Sequence, residues 1–356
     1  MRRKTRTVKI GDVAIGGKSQ VSVQSMTKTD THDVRKTVYQ IKRLAEAGCE
    51  IVRLAVPDRD AVKYLGRIKK KVNIPVVADI HFNFRLAIAA MKEGVDCIRL
   101  NPGNVYKVHE VRQVAEEAIK RDIPIRVGVN SGSLRWNGKG SLARAMVASA
   151  MNYTKCLEKF EFQDIIISLK APDVRETINA YELMAKKCDY PFHLGVTAAG
   201  PIQPGSVRSA IGIGVLLSEG IGDTVRVSLT GDPVEEVSVA YEILSSLGSR
   251  EKGPIIVSCP TCGRCRVDLL KIVRAVEKLL KGIGSDEKLA GLKVAVMGCA
   301  VNGPGEAKEA DVGVACGKKG GVLFRKGRTV RKVSEGKIVE SLIAEVKKIQ
   351  GSKSKG

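Results

Sequence analysis

Eight short aliphatic runs punctuate the first 250 residues, at 21–24, 51–56, 76–80, 97–100, 125–129, 165–169, 192–196 and 225–229. Runs of this length, bounded by polar and small residues, predict buried strands. Between most of them apolar residues recur at helical spacing. In 33–47, Val34, Val38, Ile41, Leu44 and Ala45 share one helical face, with Asp33 placed to cap the start and Gly48 the stop. Eight strand-then-helix units predict an α/β chain folded as a (β/α)8 TIM-type barrel over 1–250. A doubly wound sheet is the alternative, but no Gly-x-Gly-x-x-Gly follows the first strand. The polar Ser249-Arg-Glu-Lys-Gly-Pro254 reads as a linker. A smaller α+β unit is expected over 254–350. It holds a helix near 267–280, a strand at 293–297, short strands near 312–315 and 322–324, and a final helix near 334–349. Residues 351–356 are expected to be a disordered tail.

Composition narrows the picture. The chain has 356 residues and is 44% hydrophobic but only 4% aromatic, so its core must be aliphatic. No apolar run approaches a membrane span, and the basic Met1-Arg-Arg-Lys-Thr-Arg-Thr7 is not followed by a signal-like apolar stretch. A soluble cytoplasmic protein with no membrane partner is expected. The net charge of +22 raises nucleic acid as a partner. Lys and Arg are spread along the whole length without interleaved aromatics, which reads instead as a Lys-rich solvated surface that attracts an acidic substrate or protein. Nine cysteines in a chain without an export signal favour metal binding over a disulfide framework. Cys49, Cys97, Cys156 and Cys188 lie singly in apolar or amphipathic segments and read as small core residues.

The C-terminal ends of the runs carry Arg53, Asp79 with His81, Arg99 with Asn101, Arg126 with Asn130, Ser168 with Lys170, Thr197, and Arg226 with Ser228. Many are two apart, so they point the same way, and in a barrel that way is the mouth. Five cations then converge on one cavity. They call for a polyanion, and phosphate or diphosphate suits arginine forks. His81 beside Asp79 is a candidate acid/base or substrate contact.

The remaining chemistry lies past the linker. Cys259-Pro-Thr-Cys262 sets two thiols one turn apart, Cys299 supplies a third, and Asn302-Gly-Pro-Gly-Glu306 brings a carboxylate beside it. Zinc would want four closed ligands, with Cys265 or Cys316 completing the set. An iron–sulfur cluster wants thiolates too. Cys265 makes a C-x-x-C-x-x-C run as in bacterial ferredoxins, but the fourth cysteine three residues on is missing. Spacing leaves both metals open.

The chain closely resembles the bacterial 4-hydroxy-3-methylbut-2-enyl diphosphate synthases of the methylerythritol phosphate route to isoprenoids. The resemblance runs from about Thr7 to the final helix. It rests on Val23-Gln-Ser-Met-Thr27, Val77-Ala-Asp-Ile-His-Phe82, Asn101-Pro-Gly-Asn104, Arg126-Val-Gly-Val-Asn-Ser-Gly-Ser133, Gly222-Asp-Thr-Val-Arg-Val-Ser-Leu-Thr230, Cys259-Pro-Thr-Cys-Gly-Arg264 and Val296-Met-Gly-Cys299. It implies a 4Fe-4S cluster on Cys259, Cys262, Cys299 and Glu306, leaving Cys265 and Cys316 as spares. It implies 2-C-methyl-D-erythritol 2,4-cyclodiphosphate as substrate, with Arg53, Arg99, Arg126, Lys170, Arg226 and Ser228 holding the diphosphate, and Asn130 and His81 nearby. Reduced flavodoxin or ferredoxin, both acidic, would supply two electrons. A homodimer is implied, with the cluster domain of one subunit closing over the other's barrel. One departure stands out. The family usually reads Thr-Glu-Ala-Gly after the seventh strand, its glutamate a proposed proton carrier, whereas this chain reads Thr197-Ala-Ala-Gly200. His81, Asp79 or water would then deliver the proton. Two other readings remain: a basic, zinc-stapled nucleic-acid-binding protein, and a phosphosugar aldolase or isomerase barrel with a structural metal and Lys170 as Schiff base.

Overall fold

The computed structural model describes residues 2–283, 287–299, 305 and 307–352. Contacts divide the chain into two units, 1–250 and 251–356.

The first unit opens with a hairpin, β1 (Thr7–Ile10) and β2 (Val13–Gly16), which sequence reasoning missed. Eight strands follow: β3 (Ser22–Met26), β4 (Ile51–Val56), β5 (Val76–Ile80), β6 (Cys97–Leu100), β7 (Ile125–Asn130), β8 (Ile165–Lys170), β9 (His193–Leu194) and β10 (Thr224–Val225). Eight helices alternate with them: α1 (Val34–Glu46), α2 (Arg59–Lys69), α3 (Phe84–Lys92), α4 (Val108–Arg121), α5 (Leu142–Glu158), α6 (Val174–Ala185), α7 (Ile202–Ser218) and α8 (Pro233–Ser246). The spatial order β8-β7-β6-β5-β4-β3-β10-β9 is all parallel. A parallel bridge between Ile167 and Phe192 joins the two edges, so the sheet closes into the expected barrel. Asp33 caps α1 by accepting from the Lys36 N–H, and Gly48 turns the chain at φ +95°, where a side chain would be strained.

Two strands are shorter than the aliphatic runs implied. The seventh keeps only His193–Leu194 and the eighth only Thr224–Val225 in regular pairing. The aliphatic core lies between the strands and the helices. A separate apolar plug closes the barrel floor. There Val8, Ile10 and Ile15 of the hairpin pack on Ile51, Val77, Cys97 and Ile166, which stand at the beginnings of the strands. The functional end is therefore the other one. Cys49 and Cys97 are buried, while Cys156 and Cys188 are half-buried against the core.

The second unit holds β11 (Ile255–Ser258), α9 (Leu269–Ile283), β12 (Lys293–Met297), β13 (Val312–Gly317), β14 (Gly320–Arg325), β15 (Arg328–Ser334) and α10 (Ile338–Ser352). Its sheet runs β11-β12-β13-β14-β15, parallel across the first three strands and antiparallel across the last three. Sequence reasoning missed β11 and β15, and its final helix began four residues early, because 334–337 closes β15 and forms a short 3-10 turn. Among the described residues, no helix is long and apolar enough to cross a membrane.

Candidate active site and metal centre

Strand side chains alternate, so each barrel strand turns every second residue inward. On β4, β5, β6 and β8 the inward rows begin in the apolar plug and turn polar one step higher: Ile51 gives way to Arg53, Val77 to Asp79, Cys97 to Arg99 and Ile166 to Ser168. Asp79 is buried and binds two of the cations. Arg99 Nη1 donates to its Oδ1 at 3.2 Å, and Arg53 Nε lies 3.5 Å from Oδ2. Burial would raise the Asp79 carboxyl, but Arg53, His81 and Arg99 outweigh it and hold it far below the usual carboxylate range. His81 Nε2 stands 3.6 Å from Oδ2, with its side chain 43% exposed at the rim.

Arg99 fills its remaining space by donating Nη2 to the Gly128 carbonyl at 2.8 Å. Arg126 is the most buried of the set, and its Nη1 donates to the Gln24 Oε1. Asn101 is also buried. Its Nδ2 donates to Ser133 Oγ at 2.7 Å and its Oδ1 accepts from the Gly103 N–H, so it is used in shaping its own loop. Ser168 is buried, while Asn130, Thr197 and Ser228 are half-buried.

The cations are not balanced. Arg99 Nε, Arg126 Nε and Nη2, Lys170 Nζ and Arg226 Nε are buried with no partner among the described residues. Burial and the neighbouring arginines hold Lys170 well below the usual lysine range, and the same causes push Arg126 down to about 9 and Arg226 down to about 10. An uncompensated buried cation is costly, and an anion bound here would relieve several at once.

Three members of this site escaped sequence reasoning. Gln24 orients Arg126. Glu236 lies 3.5 Å from Arg226 through its Oε2. His193 has no exposed surface, its Nε2 has no partner among the described residues, and burial with Lys170 and Arg126 keeps it neutral. His193 lies four residues before Thr197 and so shares its inward face; extending that row downward would have found it.

In the second unit, parallel pairing sets Ser258 opposite Val296. Cys259 follows directly on β11, and Cys299 lies two residues beyond β12, so neighbouring strand ends deliver both thiols. Gly298 makes the approach possible. Its N–H donates to Cys259 Sγ at 3.2 Å, and a Cβ there would stand 2.7 Å from Cys265 Sγ and 3.4 Å from Cys259 Sγ. The result is a small-residue cradle edged by soft donors that fits an iron–sulfur group. Cys262 is exposed. Cys316 lies in the core, where burial pushes its thiol up to about 12. Glu306 lies outside the described residues. Among the described residues no three His, Cys, Asp or Glu side chains are gathered as a metal-binding group.

Residues 5–241 match the GcpE TIM-barrel domain, and residues 255–348 match the GcpE protein C-terminal domain. The chain belongs to the GcpE family. It is 54% identical over 349 residues to the 4-hydroxy-3-methylbut-2-en-1-yl diphosphate synthase (flavodoxin) of Ruminiclostridium cellulolyticum, covering 97% of this chain and 98% of that one. It is 53% identical over 351 residues to the enzyme of the same name from Thermodesulfovibrio yellowstonii, covering 98% and 99%. Among solved structures it resembles Xanthomonas albilineans dihydropteroate synthase with a TM-score of 0.51 at 11% identity, over 68% of this chain and 98% of that one. That likeness shows the barrel alone.

Proposed function

We propose that the chain is an oxidoreductase that opens the ring of 2-C-methyl-D-erythritol 2,4-cyclodiphosphate and removes a hydroxyl, giving 4-hydroxy-3-methylbut-2-en-1-yl diphosphate. The reading is carried by the ring of buried cations with unpartnered N–H groups inside the barrel of a GcpE-family chain. The family match weighs against the nucleic-acid and aldolase readings. Two electrons enter, donated by reduced flavodoxin, which is named for the relatives. The basic surface suits such an acidic donor.

In this reading Arg53, Arg99, Arg126, Lys170 and Arg226 clamp the diphosphate, with Asn101, Asn130, Ser168, Thr197 and Ser228 completing the wall. One of the two bonds from carbon to a ring phosphate oxygen breaks; the freed phosphate end becomes an anion already held by these cations, while the diphosphate stays esterified to the carbon chain through its other end. The departing hydroxyl takes up a proton and leaves as water. His81 at the rim, backed by Asp79, is the proton donor. Cys259, Cys262, Cys299 and Glu306 would hold a 4Fe-4S cluster, which supplies the electrons one at a time when bound. A homodimer, with one chain's cluster domain over the other's barrel, belongs to the same reading and is supported by the family resemblance.

Anaerobic purification with iron and sulfide counts, followed by turnover with reduced flavodoxin, tests the proposal. About four irons and four sulfides per chain are expected, with product formed. A colourless, zinc-bearing protein without turnover would overturn it.

A further inference from the structure

The regular pairing of β10 stops at Val225, one residue before Arg226 and three before Ser228. Among the described residues, backbone bonds tie the stretch only at its ends, from the Arg226 N–H to the Leu194 carbonyl at 3.0 Å and from the Thr230 N–H to the Gly200 carbonyl at 2.9 Å. The structure shows a buried carboxylate there. Glu236 stands in the first turn of α8, behind the cap that Asp232 makes to the Val234 N–H, and its side chain is fully buried. It receives four donors: Ser25 Oγ at 3.0 Å, the Leu229 N–H at 3.1 Å, Lys28 Nζ at 3.1 Å and Arg226 Nη2 at 3.5 Å. Lys28 Nζ also donates to the carbonyls of Leu229 and Gly231, at 2.6 Å each. Strand β3, through Ser25 and the Lys28 that follows it, is thus tied to 226–231 across one carboxylate.

We propose that Glu236 is a positioning residue. It stands in for the ladder between those two ties and aims the Arg226 guanidinium and the Ser228 hydroxyl at the diphosphate. The inference deepens the reading of the cation ring as a diphosphate cradle and rests on it. Charge alone argues the other way. A carboxylate beside Arg226 lowers the positive potential that attracts an anion, so if balancing charge were its whole role, removing it would tighten diphosphate binding. An arginine fork instead binds well only when its plane is fixed, and fixing it is what the four-donor clasp does. The two roles therefore predict opposite signs.

The full-length protein is titrated with inorganic diphosphate by calorimetry, and steady-state kinetics are measured on the holoenzyme. Glu236→Gln keeps the shape but turns an amide NH2 toward the donors. It should raise the Kd for diphosphate about tenfold, with KM following and kcat within about threefold. In an Arg226→Ala background the same change should raise Kd by no more than about threefold, the part that remains through Ser228. Ser25→Ala, which removes one donor and no charge, should raise Kd about threefold. Unchanged or tighter binding by folded Glu236→Gln overturns the proposal, as does an equal further loss in the Arg226→Ala background. Should Glu236→Gln fail to fold, unchanged affinity in Ser25→Ala overturns it. Wild-type protein that binds no diphosphate would overturn the cradle reading as well. Wild-type binding with unmoved variants overturns the role of Glu236 alone.

Discussion

At Gly128 the missing side chain is what lets Arg99 reach its place. A Cβ there would stand 2.4 Å from Arg99 Nε, a distance that forces the guanidinium away from Asp79. Gly128→Ala should therefore cost at least about tenfold in KM, together with a lowered melting temperature. Kinetics and thermal unfolding of the same preparation check both. Ala198 presents the opposite case. It is exposed and already sits at φ +50°, so its Cβ is already accommodated in the left-handed region. Ala198→Glu adds no new backbone strain and puts a carboxyl where the family usually has one. Turnover should rise several-fold with stability within about 0.5 kcal/mol, as single-turnover rates and denaturant titration would show. These residues differ in legibility. Arg126 and Lys170 were visible as cations at strand ends. Gly128 and Glu236 were not, because one works by absence and the other reads in sequence as an ordinary helix carboxylate.

At the scale of elements, the strands pairing as long ladders were the most legible. The predicted 51–56, 76–80 and 97–100 coincide with β4, β5 and β6, each an aliphatic run broken by a single charged residue, Arg53, Asp79 or Arg99, and otherwise largely buried. The hairpin β1–β2 was missed although Thr7-Val-Lys-Ile alternates and Gly11 turns at φ +59°, because two short strands gain stability only by plugging a floor that sequence cannot show. The seam where β8 meets β9 brings Lys170 and His193 into one cluster, each held below its ordinary pKa by burial and by shared cations. Between each group's lowered folded pKa and its ordinary value the unfolded chain binds more protons, so the free protein's stability rises with pH there. Bound diphosphate reverses the cause and pulls protons back on. Binding should therefore take up protons, and affinity should fall as pH rises, by at most about tenfold per pH unit for each proton. Titrations in buffers of different ionisation enthalpy measure the uptake, and zero uptake would contradict this account of the seam.

For the whole molecule, every described ring cation, the barrel's own aliphatic core and the floor plug belong to residues 1–250, while the second unit has a separate core. That segment expressed alone should fold and bind inorganic diphosphate within about threefold of the full chain, while carrying no iron. Far-UV circular dichroism, calorimetry and iron counts decide it. In the full chain Cys259→Ser should abolish the cluster and Cys265→Ser should retain it, as read from the visible spectrum under anaerobic conditions. The sequence by itself determined the alternation of strands and helices, the cations at the strand ends and the cysteine motif, because periodicity and spacing are local properties of the chain. Only the tertiary structure decided which of those cations lack partners, that Glu236 and Gln24 hold two of them, and that Gly298 leaves room between Cys259 and Cys265. Those facts depend on distances between segments far apart in the chain, and such distances exist only once the sheets have closed.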